Sequence, residues 1–150
     1  MTLRRVRPDD LAEVYRLVED MVRETPVDYP PPDMEMLAMA TEEASRSPDF
    51  MGLVSDAGDG KLNGIAVYYR QPYLWAKALQ CVLLFIYVED GPDKGNISKA
   101  MFGIVEEDAK LSNCREISFT FSSGRREDLA SRMLRTLGYE QIGVDFRKVL

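Results

Sequence analysis

The chain has 150 residues, of which 45% are hydrophobic and 29% charged, a composition typical of one soluble globular domain that spans residues 1–150. Its net charge of −6 argues against an electrostatic surface for nucleic acid. The sequence contains no histidine, which excludes the commonest general base, the commonest metal ligand and every Ser-His or Cys-His nucleophile pair.

Two helices are predicted in the N-terminal third, after a short alternating strand at residues 2–6. The first covers 9–25, where apolar residues recur at helical spacing behind Asp9 or Asp10 as the N-cap. A proline-rich break follows, and Asp33 is placed to cap the second helix over 34–46.

Three strands are predicted next, at residues 50–55, 62–70 and 78–88. A glycine and aspartate turn joins the first two. The third is apolar on both faces, which indicates a central strand covered by helices on both sides.

The C-terminal half alternates helices with strands. A helix is predicted from about Asn96 to Ser112, then a strand at 115–121, a helix at 124–138 and a closing strand or bent strand pair at 139–150. This order predicts an α/β fold, one domain with a mixed, twisted sheet of six to seven strands flanked by about four helices.

Residues 79–148 contain a pattern that resembles the GNAT superfamily of acetyl-CoA-dependent N-acetyltransferases. A buried strand leads through a turn and a helix into a second strand, and then into a segment similar to the family's A-x-x-L-Y-x-x-x-G-F. The residues at the corresponding spacing are Ala130, Met133, Leu134, Gly138 and Tyr139. The ending "LGYEQIGVDFRKVL" is similar to small GNAT-like proteins encoded by bacteriophages.

The resemblance implies a binding loop for acetyl-CoA after the buried strand, where a helix N-terminus offers backbone N–H groups to the cofactor pyrophosphate. It places the cofactor contacts on Val88, Lys94, Gly95, Asn96, Ile97, Ser98 and Lys99. The family pattern Q/R-x-x-G-x-G/A falls on Asp93, Asn96 and Ser98, so the loop is degenerate. Ordinary helix capping by Asn96 is the alternative interpretation.

The catalytic groups are less well defined. Many GNAT enzymes donate a proton from a tyrosine at the position that Leu134 occupies here, and leucine has no proton to donate. Glu89 and Asp90 follow the central strand and are candidate bases, or simply solvated turn residues. Tyr68, Tyr69 and Tyr87 either line a cleft or belong to the core. No cluster of residues has the spacing of a metal site.

Two functions of different classes follow. One is an N-acetyltransferase acting on a primary amine. The other is a catalytically inactive GNAT-fold protein that binds a protein partner, self-associates or forms part of a phage particle. The longest apolar run is too short for a membrane span, no signal peptide is visible, and isolated Cys81 and Cys114 suggest a reducing compartment. We therefore expect a cytoplasmic protein, or a virion component, without membrane or nucleic-acid partners.

Overall fold

The computed structural model describes residues 1–120, 127–143 and 145–150 of the chain. Within them, one mixed sheet of five strands lies between two layers of helices. No helix in these ranges has both the length and the apolar character needed to cross a membrane. The strands are β1 (Thr2–Arg5), β2 (Phe50–Gly58), β3 (Lys61–Pro72), β4 (Leu79–Val88) and β5 (Cys114–Phe119); the helices are α1 (Leu11–Glu24), α2 (Met34–Arg46), α3 (Lys94–Leu111) and α4 (Glu127–Thr136), and a short 3-10 helix covers Pro8–Asp10.

The strands are ordered β1-β2-β3-β4-β5 across the sheet. The first four pair antiparallel, and β5 pairs parallel to β4 after the crossover through α3. The predicted turn between β2 and β3 has positive φ at Gly58, Asp59 and Gly60 (98°, 53° and 75°), a backbone conformation that glycine adopts readily.

Strand β4 is covered on both faces, as its apolar sequence predicted. Cys81 and Leu83 face the layer of α3, where Met101 and Val105 are fully buried. Tyr87 faces the other layer, in a cluster that includes Leu17 of α1. Packing on both faces fixes the strand that borders the candidate site.

A β-bulge at Leu84 interrupts the alternation of β4. In the pairing with β3, Tyr68 lies opposite Leu83 and Val67 lies opposite Phe85, so Leu84 has no opposite residue. Leu83 and Ile86 consequently face the same layer although they are three residues apart. Bulges bend a strand and increase its twist, and they often lie beside active sites.

The sheet has five strands and not the expected six to seven, because the predicted closing strand does not form in the described residues. Residues 139–143 and 145–150 form no strand. Their alternation favours an extended chain, but a strand also requires a neighbouring strand with which to pair. Instead, Arg147 lies over the ring of Tyr29 at 5.1 Å and donates a 2.6 Å hydrogen bond to the carbonyl of Asp28. This contact holds the tail beside the segment after α1.

Candidate functional site

A cleft of about 880 Å³ lies where β4 separates from β5. The pairing between these strands ends at Leu83 opposite Phe119, directly before the bulge, and β4 continues to Val88 without a described partner on that side. The predicted end of the neighbouring strand, Phe121, lies outside the described residues. The separation of two parallel strands therefore exposes the edge of β4 to the cleft.

The cleft reaches both layers of the fold. Phe85 and Tyr87 belong to the cluster on the α1 side, whereas Ile86 and Val88 belong to the cluster on the α3 side, and all four line the cleft. The remaining described walls come from the end of α1 and the segment after it, the start of α3, the end of β5, and α4. A ligand in the cleft can thus contact both faces of the sheet.

The N-terminus of α3 lies at the mouth of the cleft. The helix begins at Lys94, with Asp93 at the cap position and no capping bond from the Asp93 side chain. The alternative interpretation, in which Asn96 caps this helix, is wrong, because Asn96 lies within the first turn. Among the described residues, the N–H groups of Gly95 and Asn96 find no acceptor, while those of Lys94 and Ile97 bond to Gly91 and Asp93.

The backbone of this turn is sterically open. A Cβ added at Gly91 or Gly95 would meet no atom within 4 Å, and both glycines line the cleft. The Nζ of Lys94 lies 2.7 Å from Oδ1 of Asp90, so the ammonium partly neutralises the one carboxylate in the described lining. The turn therefore combines free N–H donors with room for a bulky anion.

The predicted cofactor residues fall into two groups. Val88, Lys94, Gly95 and Ser98 line the cleft. The other three are absent from its described lining: Ile97 has its side chain in the core, only 2% exposed, and Asn96 and Lys99 face solvent.

The two predicted catalytic carboxylates are separated by the geometry. Asp90 lines the cleft, but Glu89 forms an ion pair with Arg16 of α1 outside the described lining. The same guanidinium bonds Glu13 at 2.8 Å and the carbonyl of Leu62 at 2.6 Å. Arg16 therefore connects the end of β4 to α1 and to β3.

Tyr87 is the only one of the three candidate tyrosines in the described lining of the cleft. Its hydroxyl donates a 3.0 Å hydrogen bond to Oε1 of Glu24, the last residue of α1. Burial, and then this hydrogen bond, raises the pKa of Tyr87 above its ordinary value. The hydroxyl consequently stays protonated at neutral pH.

Two residues of the segment that resembles the family motif have different surroundings. Leu134 lines the cleft from α4, where its aliphatic side chain adds an apolar surface. Tyr139 is partly buried and packs against the core, with its ring centroid 5.9 Å from that of Phe102 in an edge-on arrangement.

The wall on the α1 side was not predicted from the sequence. Met21, Val22, Thr25 and Tyr29 line the cleft there, and the bulged Leu84 of β4 also belongs to the described lining. Apolar residues such as Met21 and Val22 on a helix are equally typical of a buried core. Only the proline-rich break directly after α1 marked this segment as irregular.

Comparison by sequence finds no matching family model and no matching curated protein. Comparison by structure finds an acetyltransferase from Trypanosoma brucei, with 18% identity, a TM-score of 0.75 and coverage of 99% of both chains. A transcriptional regulator from Bacillus halodurans C-125 has 18% identity, a TM-score of 0.77 and coverage of 99% of both chains. The aminoglycoside N-acetyltransferase AAC(6')-Iy in complex with CoA gives 17% identity, a TM-score of 0.73, and coverage of 98% of this chain and 93% of that one. The chain therefore has the GNAT fold of known acetyltransferases.

Proposed function

We propose that this protein is an acetyl-CoA-dependent N-acetyltransferase that acts on a primary amine. The observation that carries the proposal is the cleft between β4 and β5, open to both faces of the sheet, with the N-terminus of α3 at its mouth. An enzyme of this class needs one end for a cofactor and another for an acceptor, and a cleft through the sheet supplies both.

The residues at the α3 end fit the cofactor. In our proposal, the N–H groups of Gly95 and Asn96 and the side chain of Lys94 bind the pyrophosphate, and the edge of β4 from Leu84 to Val88 binds the pantetheine arm. The open space at Gly95 leaves room for phosphate oxygens beside the backbone. When bound, acetyl-CoA supplies an acetyl group activated as a thioester.

The described lining of the cleft offers little acid-base assistance. The reaction forms one C–N bond and breaks one C–S bond, and the proton that leaves the amine balances the one gained by the thiol. Leu134 cannot donate that proton, so water delivers it in our proposal. A positioned acid contributes about 10²–10⁴-fold to a rate, so we expect a slow enzyme whose catalysis comes mainly from positioning.

The test is transfer measured on matched variants of α3. Purified protein is incubated with acetyl-CoA and a panel of primary amines; thiol release and the amide product are quantified. Gly95→Glu places a carboxylate at the mouth of the cleft, and Gly103→Glu places one on an exposed turn of the same helix, outside the described lining. Neither Cβ meets an atom within 4 Å, so both variants should fold.

We expect Gly95→Glu to lose at least tenfold in kcat/KM and Gly103→Glu to match the parent protein. Absence of amide product with every amine would overturn the proposal. The alternative, a catalytically inactive GNAT-fold protein that serves as an interaction module or phage structural component, would then take its place. Its support is the unusual loop residues Asp93, Asn96 and Ser98, together with Leu134.

A further inference from the structure

The part of the cleft that α1 lines is mostly apolar. Met21 and Val22 of α1 belong to the described lining, together with Leu84 and Phe85 of β4. Leu84 is 45% exposed because the bulge turns it out of the regular strand pattern. An acceptor bound beside α1 would therefore contact hydrocarbon and aromatic side chains.

This end of the cleft does not match a polycation. Asp90 is the one carboxylate in the described lining, and it is ion-paired with Lys94 at 2.7 Å. Outside that lining, the carboxylate of Glu24 accepts a 3.0 Å hydrogen bond from Tyr87, so one carboxylate stands behind the α1 side of the cleft. Recognition of several ammonium groups would require several carboxylates, since each buried charge needs a partner.

One hydroxyl is placed to contact a single amine. Tyr87 lines the cleft and commits its proton to Glu24, so the lone pairs of its oxygen remain to accept a hydrogen bond. Tyr87 is 8% exposed and belongs to the cluster that includes Leu17 of α1, and this packing holds the oxygen in position. Tyr87 is therefore a polar point beside an apolar wall.

We infer that the acceptor is a monoamine with an apolar body, an alkyl or arylalkyl primary amine, whose hydrocarbon packs against Val22, Leu84 and Phe85 and whose nitrogen contacts Tyr87. This inference rests on the proposed N-acetyltransferase function and adds the substrate class. It also distinguishes this chain from a GNAT-fold enzyme that acts on a polyhydroxylated, polycationic substrate.

The test compares acceptors in one assay. In the series from propylamine to hexylamine, kcat/KM should rise about threefold to fourfold per methylene, the factor expected for burying each CH₂. Phenethylamine should exceed spermidine and kanamycin at least tenfold. A flat series, or a preference for the polycations, would overturn the inference while leaving the acetyltransferase function in place.

A matched pair of variants locates the effect in the cleft. Val22→Glu adds a carboxylate to the apolar wall at a residue outside both buried clusters, and Ala12→Glu adds one to an exposed position of the same helix. We expect Val22→Glu to lower kcat/KM for hexylamine at least tenfold and to raise it for spermidine. Ala12→Glu should leave both values unchanged, and equal behaviour of the two variants would contradict the assignment.

A binding measurement without acetyl-CoA separates failure of this inference from failure of the proposed function. Calorimetric titration of hexylamine and spermidine into the protein, with no cofactor, measures the amine site directly. Preferential binding of hexylamine that is lost in Val22→Glu would support the apolar site even if no transfer occurs. Preferential binding of spermidine, or no binding of either amine together with no transfer, would overturn the inference.

Discussion

The hydroxyl of Tyr87, at the end of β4, donates a 3.0 Å hydrogen bond to Oε1 of Glu24, at the end of α1. The bond joins a strand that lines the cleft to a helix that also lines it. Because the raised pKa of Tyr87 keeps its proton in place at neutral pH, the phenol acts as a fixed donor to Glu24 and not as a base. In our proposal, the oxygen of Tyr87 positions the acceptor amine.

Replacing Tyr87 by phenylalanine tests this role. Tyr87→Phe keeps the ring packing and removes one hydrogen-bonding group, so we expect kcat/KM for the amine to fall about tenfold. KM for acetyl-CoA should not change. Tyr69→Phe, on β3 and outside the described lining, is the control. Steady-state kinetics that change acetyl-CoA affinity and amine turnover together would contradict a role confined to the acceptor.

Deleting Leu84 tests the contribution of the bulge. Without this residue, Leu83, Phe85, Ile86 and Val88 would alternate regularly and keep the faces they now occupy. We therefore expect the variant to fold, with a melting temperature near that of the parent. The cleft should narrow, and transfer activity should fall at least a hundredfold.

Circular dichroism and the transfer assay, on the same preparation, check this expectation. Retention of full activity without Leu84 would show that the bulge does not shape the cleft. Loss of the fold would show that β4 needs the extra residue for its pairing with β3.

Arg16 should be important for stability and not for catalysis. Arg16→Met leaves partly buried carboxylates on Glu13 and Glu89 without their cation, and we expect a loss of about 1–3 kcal/mol in the free energy of unfolding. Arg46→Met removes only an exposed ion pair with Glu43 and should change it by less than about 0.5 kcal/mol. Urea denaturation measures both.

Glu89→Gln should retain kcat, and a large fall in kcat would restore Glu89 as a candidate base.

The ion pair between Arg16 and Glu13 should make the stability of the protein depend on pH in the acid range. The hydrogen bond from Arg16 lowers the pKa of Glu13 below its ordinary value of 4.5. A carboxyl with a lowered pKa stabilises the folded state above its ordinary pKa, and this contribution is lost as the pH falls below about 4.5. The loss of stability on acidification should be smaller in Arg16→Met than in the parent protein.

Tyr139 gives an alkaline dependence. Its hydroxyl oxygen is buried with no hydrogen-bond partner in the described part of the chain, and burial raises its pKa to about 12. Tyr139→Phe should therefore raise the free energy of unfolding by about 1 kcal/mol at pH 7. Between pH 10 and about 12 the unfolded chain loses the Tyr139 proton while the folded chain keeps it. The free energy of unfolding therefore does not depend on this group below pH 10 and falls as the pH rises toward 12. The variant should lose less stability across that interval, as measured by denaturation at each pH.

Much of the fold follows from local signals in the sequence. The run "CVLLFIYV" is apolar at every position, so it predicted the covered strand β4, and Asp33 predicted the start of α2, where its side chain accepts from the N–H of Met36 at 2.9 Å. The position of α3 directly after β4 likewise placed Lys94 and Gly95 at the mouth of the cleft.

The features that shape the site depend on contacts between distant residues. In an apolar run, no pattern marks the register shift that makes Leu84 a bulge, because the shift is defined by pairing with β3. The sequence made Glu89 a candidate base, because Arg16, its partner in the structure, is 73 positions away along the chain. Ile142 and Phe146 alternate like strand residues, yet they are 82% and 94% exposed, since no strand is paired with them.

Binding of acetyl-CoA to the loop at the start of α3 is the most direct test. Isothermal titration calorimetry on the parent protein, Gly95→Glu and Gly103→Glu compares two carboxylates on one helix, one inside the cleft and one outside it. We predict micromolar binding by the parent protein and Gly103→Glu, and at least tenfold weaker binding by Gly95→Glu. No binding by the parent protein at millimolar acetyl-CoA, or equal affinities in all three, would contradict the account.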